Sequence, residues 1–230
     1  MISEMFAHGF IQRAFIGGVL VSLCAALLGV SLVLKRYSMI GDGLSHVSFG
    51  ALSIAIALGF APIKFSIPIV IIAAFFLLRL AENGKMKSDA AIAMVSASSL
   101  AIGVIVTSLT TGLSTDVCSY MFGSILAMSK DDVIFSVVLS VVVLIMFGFC
   151  YHRIFAVTFD ESFSKATGVK VGMYNTLISI FTAVTVVLGI KMMGAMLISS
   201  LIIFPALTSM RVFKSFLFIC VSLLFCTLIS

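Results

Sequence analysis

Apolar residues in this chain fall into long, unbroken runs, and the short polar stretches between them carry nearly all the charge. Runs of that length match the bilayer, whose hydrocarbon core takes about twenty apolar residues to cross as a helix. Alternation every second residue, the mark of a membrane barrel strand, is missing. The pattern predicts helical spans over residues 10–34, 42–59, 62–81, 89–112, 133–151, 173–192 and 194–210, with a short or truncated eighth over 216–230. Residues 1–9 read as interfacial. Pro62 suits the first turn of the third span, where a missing N–H costs no helical hydrogen bond. The fourth span is rich in small residues, among them Ala90, Ala91, Ser96, Gly103. Small residues let helices approach closely in lipid, which places this span inside the bundle. Residues 114–132 are too short and too polar at both ends to cross, and read as an outer interfacial or re-entrant helix. The expected fold is therefore an all-α polytopic bundle, with residues 1–230 as one transmembrane domain.

Composition agrees and narrows the function. Of 230 residues, 62% are hydrophobic and 10% charged, whereas soluble domains carry about a quarter charged residues. The formal net charge of +5 comes from scattered lysines and arginines, with no basic stretch dense enough to track phosphates, so nucleic acid is not an expected partner. The basic residues mark sidedness instead. One set of loops and span ends holds ten: Lys35, Arg36, Arg79, Lys85, Lys87, Arg153, Lys165, Lys170, Arg211 and Lys214. The other holds four, Arg13, Lys64, Lys130 and Lys191. Positive charge gathers on the cytoplasmic side, so the N-terminus is expected to face outward and the 155–172 loop to face the cytosol. Five cysteines lack paired spacing and read as small hydrophobes rather than a disulfide framework. The first apolar run has no cleavage site and reads as a span, not a removable signal. No phosphate loop, nucleophile elbow or HExxH motif is present, so the chain is not expected to be an enzyme.

Three stretches could carry chemistry. Asp42 and His46 stand four residues apart at the start of the second span, which puts both on one helical face with Cβ atoms roughly 6 Å apart. Ionisable groups within a bilayer are costly and usually face a pathway or a ligand. A carboxylate with an imidazole suits zinc, manganese or ferrous iron, with Asp42 either a ligand or an orienting partner of His46. The plainer reading makes Asp42 a helix N-cap and lets His46 bond nearby backbone. Residues 160–168 form either an ordinary amphipathic connector or a short helix across the membrane face, offering Phe163 and Ala166 to a cytosolic partner and ending at Gly168. In the seventh span, Pro205 kinks the helix, and Ser199 and Ser200 either line a pathway or bond backbone within the bundle. Asp116, Cys118 and Met121 could form an outer vestibule, although loop solvation explains them as well.

Taken in order, Gly41-Asp42-x-Leu44-Ser45-His46, Tyr120-x-Phe122-Gly123, Gly168-Val169, Gly194-Ala195 and Ile203-x-Pro205-Ala206 resemble the permease subunits of bacterial zinc, manganese and iron ABC importers. The likeness covers about residues 10–215. It implies a plasma-membrane permease that works as two copies, with two cytosolic ATP-binding subunits and an extracellular metal-binding protein as partners. A divalent metal would be cargo, with no resident cofactor. Asp42 and His46 match the family's acid and histidine in the membrane pathway. Asp160, Glu161, Phe163, Ala166 and Gly168 fall in its coupling helix. Family members usually continue through further helices after the point where this sequence stops. Two other readings stand beside this one. An ion-coupled secondary carrier would need no ATPase, but the inverted repeats common in such carriers are not visible. A non-transporting assembly factor would show no metal-dependent phenotype.

Overall fold

The computed structural model describes residues 9–35, 37–82, 88–110, 123 and 130–212. Among the described residues the chain is helical throughout, with no strand: α1 (Gly9–Leu34), α2 (Ser38–Ala57), α3 (Pro62–Glu82), α4 (Ser88–Leu109), α5 (Lys130–Phe159), α6 (Glu161–Ala166), α7 (Val171–Met193) and α8 (Ala195–Val212). Six of these, α1 to α5 and α7, are long and apolar enough to cross a membrane, and α8 is a shorter apolar helix. The expected outer segment 114–132 lies outside the described residues, apart from Gly123 and the start of α5. The short eighth span over 216–230 lies outside them too.

The bundle is built around α7. Every residue from Phe181 to Ile190 is buried, and α1, α2, α3, α5, α6 and α8 all pack against this helix. Thr182 turns its hydroxyl back to the Ile178 carbonyl (2.8 Å), which satisfies a polar group in an apolar interior. At one end of α7, Lys191 forms an ion pair with Asp132 of α5. At that same end Gly194 joins α7 to α8 with φ +87° and ψ 161°, a conformation open almost only to glycine. The turn is tight because Gly194 N–H still bonds the Ile190 carbonyl (2.9 Å) while its own carbonyl accepts from Ile198 (3.2 Å).

Three features depart from the sequence expectation. The second helix begins at Ser38, one turn before Asp42, because the chain reverses within the few residues after α1: Tyr37 N–H bonds Leu32 O (2.8 Å) and Ile40 N–H bonds Tyr37 O (3.0 Å). The fifth helix runs 30 residues to Phe159 and does not stop at His152-Arg153. At about 45 Å it outreaches the hydrocarbon core, and Tyr151 at the expected end and Phe155 beyond it pack on Ala26, Val30 and Ala206. The small-residue helix α4 lies at the edge of the bundle, with Met94, Ile102, Ile105 and Leu109 facing outward. Its small residues do serve close approach. A Cβ at Gly50 of α2 would stand 2.7 Å from the Ser99 carbonyl oxygen of α4. Closeness to one neighbour is what they provide, and a central position does not follow from it.

Candidate functional site

Alternating helix directions bring the starts of α2 and α4, the end of α1 and the connector α6 to one end of the bundle. Two constellations form there. The first is an open cleft of about 240 Å³ between α2 and α4, whose lining includes Met39, Asp42, His46, Asp89 and Ser96 over an apolar floor with Ile92. Asp42 sits four residues inside α2, which removes it from the N-cap position; Tyr37 occupies that place. The α-helical spacing sets Asp42 Oδ2 3.7 Å from His46 Nε2. That is beyond hydrogen-bond range, so each group keeps its lone-pair capacity for something in the cleft. Their side chains are 46% and 29% exposed, respectively. Asp89, in the first turn of α4, adds a second carboxylate across the cleft. Sequence reading missed it, because a first-turn aspartate looks like an ordinary complement to the helix dipole. Among the described residues no three His, Cys, Asp or Glu side chains stand close enough to hold a metal ion together. The cleft offers a partial set of hard oxygen and imidazole donors.

The second constellation is closed. Lys35, at the end of α1, donates to Glu161 Oε1 of α6 (3.0 Å) and to Asn175 Oδ1 of α7, while Asn175 Nδ2 donates to the same Glu161 oxygen (3.1 Å). The Lys35 side chain is 4% exposed. Burial disfavours the Glu161 carboxylate, yet the hydrogen bonds from Lys35 and Asn175 and the nearby charges of Lys35 and Lys165 outweigh it, so the carboxyl lies below its ordinary range. Asp160 caps α6 by accepting from Phe163 N–H (2.9 Å). At the far end Gly168, with φ +81°, closes the helix: its N–H bonds Lys165 O (3.1 Å) and Val169 N–H bonds Ser164 O (3.0 Å), the paired bonds of a Schellman cap. Phe163 points away from the bundle at 64% exposure, and Ala166 is exposed beside it, whereas Glu161 is half-buried and bonds Lys35 and Asn175.

The serines of α8 are elsewhere. Ser199 and Ser200 both donate to the Met196 carbonyl (3.1 Å each), so their protons are held by their own helix. Pro205 lies within α8, which continues past it to Val212.

Comparison with known proteins identifies the family. A probable metal transport system membrane protein of Treponema pallidum is 32% identical over 214 residues, covering 93% of this chain and 80% of the relative. The high-affinity zinc uptake system membrane protein ZnuB of Buchnera aphidicola is 32% identical over 196 residues, 85% of this chain and 75% of the relative. The manganese import system permease protein ScaB of Streptococcus gordonii is 29% identical over 206 residues, 90% and 74%. The solved structure of PsaBC from Streptococcus pneumoniae in complex with Fab superposes with a TM-score of 0.85 at 26% identity, covering 99% of this chain and 83% of that one. The model of the ABC 3 transport family matches residues 7–230, nearly the whole sequence, and the chain belongs to that family.

Proposed function

We propose that this chain is the permease subunit of an importer for a divalent transition-metal ion, with transport driven by ATP hydrolysis in separate cytosolic subunits. The single observation that carries the reading is the cleft, where a carboxylate and an imidazole on one helix stand side by side without bonding each other. A cation that must leave again is served better by a partial shell than by a closed cage of four ligands. Water, or a second copy of the chain, would supply the remaining ligands. Asp42 and His46 act as the transient stop, and Asp89 draws the ion onward from them. Relatives named for zinc and for manganese are both similar to this chain, and oxygen with imidazole suits either ion.

The finer reading follows from the same frame. The 18-residue α8 spans about 27 Å and serves as the seventh crossing. Seven crossings from an outward N-terminus put α6, Lys35 and the mouth of the cleft on the cytoplasmic side, in keeping with the bias of basic residues. There α6 lies across the membrane face and presents Phe163 and Ala166 to an ATP-binding subunit. A metal-binding protein delivers cargo on the outer side. Uptake of zinc and manganese ions by whole cells tests the site: Asp42→Ala and His46→Ala each reduce uptake to the level of cells without the transporter, while the protein still accumulates in the membrane. Uptake at the parental rate in both variants would reject it.

A further inference from the structure

We infer that Lys35, held by Glu161 and Asn175, is the residue through which movement of α6 reaches the helix that carries Asp42 and His46. The inference rests on the reading of α6 as the docking element for the ATPase, and adds how a push on it would arrive at the cleft. α6 has only six residues, and its outward side is Ser162, Phe163, Lys165 and Ala166. Toward the bundle it offers buried Ser164, whose hydroxyl finds no hydrogen-bond partner, and Glu161. Besides the backbone at its two ends, Glu161 is thus the polar tie between this short helix and the bundle.

That tie is stiff. One carboxylate oxygen accepts from both Lys35 and Asn175, and Lys35 in turn reaches both acceptors. Taking the carboxylate away from an ammonium that is 4% exposed is disfavoured, so Lys35 follows Glu161. Lys35 then leads into α2 with little slack. Its own N–H bonds Ser31 O (3.2 Å), Tyr37 N–H bonds Leu32 O (2.8 Å), and α2 starts at Ser38, with Asp42 in its second turn. Displacing Glu161 therefore shifts the α1–α2 corner and with it the angle at which Asp42 and His46 face α4. Asn175 ties the same point to α7, the helix around which the others pack.

The test is made on the whole complex, permease with its ATP-binding subunits, in proteoliposomes loaded for manganese and zinc uptake. Lys35→Met keeps the apolar stem and removes the charge, leaving Glu161 with Asn175 and solvent. ATP turnover is expected to stay within about twofold of the parent while metal ions moved per ATP fall about tenfold, in the range of ordinary coupling energies. An unchanged ratio of transport to hydrolysis overturns the inference. So does loss of the ATP-binding subunits from Lys35→Met, which would make the cluster a support for the docking face only. If Lys35→Met does not accumulate, the double variant Lys35→Met/Glu161→Gln removes both charges and is read by the same ratio against the same limits. Phe163→Asp separates the underlying reading. If the ATP-binding subunits remain bound to that variant, α6 is not their docking element, whatever the Lys35 ratio shows.

Discussion

Two acid–base pairs lie at the same end of this bundle and are built in opposite ways. Asp42 and His46 are neighbours on one helix, 3.7 Å apart and open to a cleft. Lys35 and Glu161 come from two segments, bond at 3.0 Å and share a third partner, with the lysine almost sealed from solvent. In the open pair each group can exchange its neighbour for an arriving ion at small cost, because both are still partly hydrated. In the closed pair exchange is expensive, because an almost fully buried lysine would lose its carboxylate. Chemistry that must bind and release belongs with the first arrangement, and force that must be passed on belongs with the second.

The sharpest way to break this contrast is to remove one acid from each pair and compare stability. Glu161→Ala takes the carboxylate from a lysine that is 4% exposed and keeps its bond to Asn175, and should cost about 2 kcal/mol, visible as a clear drop in the thermal unfolding midpoint in detergent. Asp42→Ala removes a partner that His46 hardly uses and should cost under about 1 kcal/mol. Equal losses in the two variants would mean that the pairs do not differ in kind.

Asp89→Asn sharpens the account of the open cleft. The residue faces Asp42 and His46 from another helix and is not one of the adjacent donors. On the proposed reading it lies on the exit side of that pair, where a negative charge favours passage of the cation toward the cytoplasm. Neutralising it should lower the maximal rate of uptake severalfold, on the order of the effect of a charged cleft on ion passage, and leave the metal concentration for half-maximal uptake close to parental. A rise in the half-saturating concentration at unchanged maximal rate would instead place Asp89 on the entry side of the pair.

A smaller effect follows from pH. The Glu161 carboxyl titrates below its ordinary value of 4.5 in the folded protein. A depressed folded value means that the closed pair contributes its full stabilisation above about 4.5 and loses it as pH falls through the lower folded value. Thermal midpoints of the parent protein should therefore fall more steeply below pH 4.5 than those of Lys35→Met, and the two curves should run parallel between pH 6 and 7. Parallel curves throughout would show that Lys35 does not hold the carboxylate.

The sequence made one pair plain and concealed the other for a physical reason. Asp42 and His46 are four residues apart, and helical geometry alone brings them together. Lys35, Glu161 and Asn175 are separated by 126 and 140 positions, and no local period predicts a meeting across three segments. Counting basic residues at span ends assigns Lys35 a side of the membrane, yet gives no sign that its charge turns inward. The same limit explains α4 and α5. Small residues announce close contact with one neighbour without saying whether the helix is central. Polar residues such as His152 and Arg153 mark where the bilayer ends, and a helix need not stop there, since its backbone bonds are satisfied in water as well. Where the apolar pattern alone decides, in α1, α3 and α7, predicted and observed bounds agree closely.

The mildest test asks whether the closed pair depends on where α6 ends. Gly168 and Gly172 lie four residues apart after α6, and a Cβ at either would meet nothing within 4 Å. They differ in backbone alone: Gly168 has φ +81° in the cap of α6, while Gly172 lies in the first turn of α7. Alanine at Gly168 must adopt a left-handed conformation or open the cap, at about 1 kcal/mol, and unwinding the cap loosens the short helix that holds Glu161. Alanine at Gly172 should be neutral or slightly stabilising, since it restricts the unfolded chain without straining the helix. Hydrogen exchange of the Val169 amide, bonded to Ser164 O in the cap, should quicken about fivefold in Gly168→Ala, the factor that 1 kcal/mol implies, and stay unchanged in Gly172→Ala. If both variants exchange alike, the cap does not set the position of α6, and the orientation of Glu161 must come from Lys35 and Asn175 alone.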